Sequence, residues 1–222
     1  MVRRALPALL AFALAACGSL VPEAEAPARP RLNAPRPVAV TAEARQCLAE
    51  LSAAGARFSP VADRYYGAGC STVGTVSLSA LQGDAARFSL ANLGPVGCQL
   101  AETTAGWARF GVDRAARQLL GSPLARIETF GSYSCRDVAG SGRRSAHATA
   151  QAIDVSAFVL ADGRRVSVLK GWSEGTRDER EFLRLVHASA CKRFGTVLGP
   201  DYNAAHKDHL HIEAGPRSGF CR

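Results

Sequence analysis

The 222-residue chain offers no apolar run at its start long enough to cross a bilayer as a helix. Ala5 to Ala16 falls well short of the roughly 20 residues that a span needs. No two of its seven cysteines are spaced as C-x2-4-C, which excludes a zinc ribbon. H-E-x-x-H does not occur, so the common helix-based metallopeptidase plan is excluded as well. No block of Lys and Arg with interleaved aromatics is present, and aromatics make up only 7% of the chain. The formal net charge of +8 falls to +6 if Arg3 and Arg4 are removed with a leader, and what remains is spread along the chain. That surplus favours anionic polymers or headgroups in general, and no nucleic acid partner is expected. No internal repeat is visible.

What is present begins with a leader. Two arginines, the short apolar run and then Cys17 follow the plan of a secretory signal. Leu14-Ala15-Ala16-Cys17-Gly18 resembles the bacterial lipobox, in which cleavage precedes a lipidated cysteine. Residues 1–16 are therefore expected to be a lipoprotein signal peptide, with Cys17 as the membrane anchor. Residues 17–40, rich in Pro and Ala, read as an extended linker. One folded domain over 41–222 is expected, periplasmic, held to the envelope (the outer membrane is our assignment) and monomeric. Six cysteines then remain, Cys47, Cys70, Cys98, Cys135, Cys191 and Cys221. In an oxidising compartment they predict three disulfides, with the pairing left open.

The pattern of elements predicts an α+β fold with a mostly antiparallel sheet flanked by helices. Thr41-Ala42-Glu43 opens a capped helix ending near Gly55, and a strand follows from Gly74. Residues 98–121 have helical spacing, with a break expected at Gly106 and Gly111. Leu124 to Cys135 is a predicted strand. AIDVSAFVL, ADGRR and VSVLKGW predict a hairpin turning at Asp162-Gly163. Thr176 to Gly195 predicts a helix with Phe182, Leu185, Val186 and Ser189 on one face, and HLHIEA a last strand.

Two short stretches carry the chemistry. SAHATAQAIDV places His147 seven positions before Asp154, and DHLHIEAG offers His209 and His211. Side chains alternate along a strand, so His209 and His211 share one face while Leu210 and Ile212 take the other. The same alternation buries Ile153, Val155 and Ala157 and sets Asp154 opposite, with Ser156. His147, in the loop before that strand, is free to fold back beside Asp154. Two imidazoles and a carboxylate suit one Zn2+ per chain, with a fourth position left for water. The member of the histidine pair that does not ligate is placed to act as general base, and alternation alone does not say which one that is. His206 is expected in a solvated loop, His187 in packing or at the surface, and Trp107 and Trp172 in packing. Asp208 either orients a histidine or faces water. Ser189-Ala190-Cys191-Lys192 matches S-x-x-K, but it lies late in a helix and lacks the S-D-N and K-T-G companions of serine peptidases.

S-x-H-x6-D followed by H-x-H resembles the zinc peptidase group of D-alanyl-D-alanine carboxypeptidases, murein endopeptidases and the hedgehog signalling domain. More closely, FGSYSCRDV, SAHATAQAIDVSAFVLADGRR, FGTVLGPDYNAAHKDHLHIEAG and GFCR resemble the bacterial extensin-like C-terminal domain family, over Ala42 to Arg222. The resemblance implies a disulfide-stabilised fold of the zinc-peptidase, hedgehog-like kind. It implies zinc on His147, Asp154 and His211, with His209 as the catalytic histidine and Arg136 as the residue facing a developing oxyanion. It further implies hydrolysis of peptidoglycan stem peptides or cross-links. Where the peptidases have glycine three positions after the first ligand, this chain has Ala150. The contrasting expectation is a wall-binding or scaffold lipoprotein that keeps zinc but has no turnover. A third is metal storage through His206, His209 and His211.

Overall fold

The computed structural model describes residues 41–216 and 219–222; the expected signal peptide and linker lie outside the described residues. The first elements are α1 (Ala42–Ala53), β1 (Arg57–Pro60), β2 (Tyr65–Gly67), β3 (Cys70–Ser71), β4 (Thr75–Gln82), β5 (Arg87–Ala91) and β6 (Pro95–Gly97). There follow α2 (Cys98–Trp107), a π-helical segment (Ala108–Asp113), α3 (Arg114–Leu120), β7 (Leu124–Gly131), β8 (Ala152–Leu160) and β9 (Arg165–Ser167). The last are α4 (Val168–Gly171), α5 (Arg177–Cys191), β10 (Thr196–Leu198), β11 (Leu210–Glu213) and β12 (Phe220–Cys221).

Among the described residues ten strands form one sheet in the order β1-β4-β5-β7-β8-β11-β10-β12, with β6 also on β4 and β9 on β8. The β5–β7 and β10–β12 pairs are parallel and the others antiparallel. The class is thus the expected α+β with a mostly antiparallel sheet. Three disulfides staple it: Cys47–Cys98, Cys70–Cys135 and Cys191–Cys221.

Local chemistry sets the helix ends. The Thr41 hydroxyl accepts from Ala44 N at 3.2 Å to open α1, and Gly55 just beyond it takes φ +71°. Thr176 and Glu179 form a reciprocal capping box at the start of α5. The buried face of α5 carries Phe182, Leu183, Val186 and Ala190. Leu185, expected among them, is 44% exposed, because the apolar stripe runs through its neighbour Leu183 instead.

The helix from Cys98 does not break at its glycines. It widens into the π segment and resumes as α3. Gly111 is needed there for contact, not for flexibility. A Cβ at that position would lie 2.2 Å from Ser189 Oγ of α5. The close approach seats Trp107 fully buried, with its indole N–H donating to the Val186 carbonyl at 3.2 Å. Phe158 of the sheet and Phe194 meet its ring edge-on. Trp172 is likewise packed, under the Arg184 guanidinium.

VSVLKGW is not the strand expected of it. The ladder with β8 ends at Ser167, whose hydroxyl accepts from Lys170 N and starts α4. A run of four apolar or small residues does not by itself distinguish helix from strand, and the cap decides.

Two slips in the β7–β8 ladder position the site. Glu128 pairs with Ala157 and Thr129 with Val155, leaving Ser156 unopposed; Gly131 then pairs with Asp154, leaving Phe130 unopposed. Each is a β-bulge, which re-aims the side chains beyond it. The alternation expected along β8 therefore holds only up to Val155. The main apolar cluster takes Ile153 and Val155, then Phe158 and Leu160; Ala157 is fully buried, as expected, but lies outside that cluster. Asp154 and Ser156 are buried too, so β8 is covered on both faces and is not open on one.

Candidate metal centre

Asp154 and His211 are cross-strand partners on the adjacent strands β8 and β11. Residues directly opposite in an antiparallel ladder project to the same face, which brings His211 Nδ1 to 2.8 Å from Asp154 Oδ1. His147 comes from a 3-10 turn, Ala146–Thr149, immediately before β8. The Ser145 hydroxyl caps that turn by accepting from His147 N. Ala150 closes it in the left-handed conformation at φ 57°, where a glycine would be free of strain. The turn lays His147 Nε2 3.1 Å from Asp154 Oδ2 and 3.2 Å from His211 Nδ1. The structure therefore brings together the three residues that the resemblance implied as ligands, all of them buried.

Their outward nitrogens are already held. His147 Nδ1 donates to the Ser132 carbonyl at 2.6 Å, and His211 Nε2 donates to Glu213 Oε1 at 2.9 Å. Each imidazole thus turns its other nitrogen toward the shared carboxylate. A carbonyl or carboxylate behind a ligating histidine fixes its tautomer and raises its basicity. Glu213 was missed although strand alternation puts it on the His211 face two residues on; Ser132 depends on the fold, which brings it beside His147 across 15 residues.

Does zinc fit? Tetrahedral zinc with N and O ligands at about 2.0–2.2 Å keeps adjacent donors about 3.3–3.5 Å apart. The three donor contacts, 2.8 to 3.2 Å, lie a few tenths of an ångström inside that figure. Two imidazole nitrogens facing each other across one anionic carboxylate form a donor set that a dication satisfies, so the residues fit the metal.

The electrostatics agree. Burial pushes the Asp154 carboxyl up, but hydrogen bonds with His147 and His211 overcome it and hold the group well below the usual carboxylate range. Burial pushes His211 down, yet its bonds to Asp154 and Glu213 raise it to about 9. That proton must leave when a cation takes the site, so metal binding weakens in acid.

His209 sits one residue ahead of β11, not within it. Its Nδ1 donates to Asp208 Oδ1 at 2.8 Å, which resolves the role left open for Asp208. Its Nε2 lies 3.4 Å from Asp154 Oδ1, and the exposed ring of Phe130, unopposed at the second bulge, stands edge-on at 5.8 Å. His211, by contrast, is buried. Arg136 lies at the rim with its guanidinium 3.9 Å from Asp154 Oδ2.

His206 is closer to the site than a solvated loop residue would be. Its ring is 5.1 Å from that of His209 and 5.7 Å from that of His211. Burial, then the neighbouring His209 and His211, push it down to about 4. His206, His209 and His211 form a second donor group that shares His211, though without a carboxylate. His187, Cys191 and Cys221 form a third, but both of its sulfurs are committed to a disulfide.

A family model described as extensin-like protein C-terminus matches residues 45–222. No curated protein and no solved structure matches the chain.

Proposed function

On the premise that the chain belongs to the extensin-like C-terminal family, we propose that it is an exported, lipid-anchored zinc hydrolase of peptidoglycan peptide bonds. It would act either as a carboxypeptidase on stem peptides or as an endopeptidase on cross-links, with the zinc-peptidase, hedgehog-like plan of its resemblance. The observation that carries this reading is the convergence of His147, Asp154 and His211 on one point with a free, anchored histidine beside them. Three disulfides support passage through an oxidising compartment.

Held by those three residues, zinc supplies Lewis acidity, polarising a carbonyl and making water acidic near neutral pH. The chain's own groups do the rest. The Asp208 bond fixes the His209 ring with Nδ1 protonated, leaving Nε2 to take a proton from water and pass it to the leaving amine. Arg136, at the rim, offers fixed positive charge to the oxyanion that develops on the carbonyl oxygen. Phe130 closes one side of His209 against bulk water.

Purified protein incubated with muropeptides is expected to release shortened or uncrosslinked products when zinc is supplied. A product pattern equal to that of a His211→Ala variant would sink the proposal. His209→Asn is expected to retain one zinc per chain while kcat falls by about 10²–10⁴-fold. Metal loss in that variant would make His209 a ligand instead. Glu213→Gln is expected to weaken zinc binding by about 10–100-fold in chelator competition, because a neutral amide no longer steers His211 with charge. Wild-type zinc affinity in this variant would exclude that role.

A further inference from the structure

A pocket of about 540 Å³ opens beside the candidate centre, lined by residues of β7, β8, β9 and α4 and by Asp208. It reaches His209 through two neighbours, since Phe130 and Asp208 line it and both touch that ring. Five charged side chains border it, and three are committed. Arg165 is paired with Glu128 at 2.8 Å, Glu179 accepts from Thr176 N in the capping box, and Asp208 accepts from His209. The other two, Lys170 and Glu174, have no side-chain partner among the described residues.

They stand one helical turn apart, with Glu174 N donating to the Lys170 carbonyl, yet they do not pair with each other. The lining is mixed, with Ser156 and Ser167 among it, and its apolar part includes Phe130 and Leu169, both more than half exposed. An unpaired ammonium and an unpaired carboxylate beside two exposed apolar side chains complement a ligand with the opposite charges on an aliphatic stem. We propose that this pocket is a specificity site for a substrate residue whose side chain ends in an amino-acid zwitterion. Its carboxylate meets Lys170, its ammonium meets Glu174, and its methylenes lie along Phe130 and Leu169. The site rests on the hydrolase reading, as the subsite that seats a substrate residue next to the bond being cut.

The test is calorimetry with three synthetic peptides identical except at one residue. Diaminopimelate carries both charges, lysine only the ammonium, and 2-aminopimelate only the carboxylate. Titration into zinc-loaded His209→Asn protein keeps turnover out of the readout. The diaminopimelate peptide is expected to bind about fivefold tighter than either of the others, each of which lacks one exposed charge pair. Lys170→Ala should weaken the diaminopimelate and 2-aminopimelate peptides about fivefold and spare the lysine peptide. Glu174→Gln should weaken the diaminopimelate and lysine peptides and spare the third. Equal binding of all three peptides, no binding at about 1 mM, or variants that affect all three alike would overturn the assignment. The expected ranking without cleavage by the wild type would instead remove the hydrolase and leave the pocket. Cleavage without the ranking would do the reverse.

Discussion

Asp154→Asn is expected to yield folded protein that retains less than about a tenth of a zinc per chain and hydrolyses muropeptides at least about 10³-fold more slowly, a transition-state loss of about 4 kcal/mol. The carboxamide keeps the shape of the side chain, so the β8–β11 pairing that holds it should survive. What disappears is the one anion in a buried cluster whose other two donors are imidazoles, with His147 Nε2 and His211 Nδ1 only 3.2 Å apart. A dication there would sit among neutral ligands in a place from which water is largely shut out, and its charge would be poorly compensated. Metal analysis and a hydrolysis assay on the same preparation read both effects. One zinc per chain at wild-type affinity in this variant would show that the carboxylate is not a ligand. His209→Asn is the matched control, since it should lose rate and keep metal.

The second large effect is on stability. Replacing Cys70 and Cys135 together with serine is expected to lower the melting temperature by about 8–16 °C. The bridge closes a loop of 65 residues, for which the chain-entropy account gives about 4 kcal/mol. At about 2–4 °C per kcal/mol for a domain of this size, that shift follows. Cys135 also ends the segment whose Ser132 carbonyl orients His147, and it directly precedes Arg136. The double variant should therefore bind zinc less tightly even well below its melting point. A melting temperature within about 2 °C of wild type would mean that the ladder, not the bridge, holds this loop.

Much of the centre was legible because its geometry is local. His211 lies on one strand, with His209 just ahead of it, and Asp154 on another, and period-two alternation assigns the faces of His211 and Asp154 without knowledge of the fold. The extended pattern failed where the ladder slips. Nothing in AIDVSAFVL announces the bulge at Ser156, beyond which Phe158 and Leu160 take the core face, and Phe130 lay in an ordinary run of strand residues. The disulfide pairing and the Ser132 contact depend on which segments become neighbours, and a linear pattern does not encode that. Short elements escaped for a related reason. β10, β3 and β12 have two or three residues each and owe their conformation to the ladder they join, not to any preference of their own. The π segment shows the opposite limit, in which Gly111, which looks like a stop signal, serves a close contact with α5.

The cross-strand placement of Asp154 and His211 also bears on how long an ion would reside. Two of the three donors hang from the interior of a broad ladder, where no single loop carries them away. Release then waits on fraying of the sheet's middle, an event of high free energy, and exchange should track cooperative unfolding more than the breathing of surface segments.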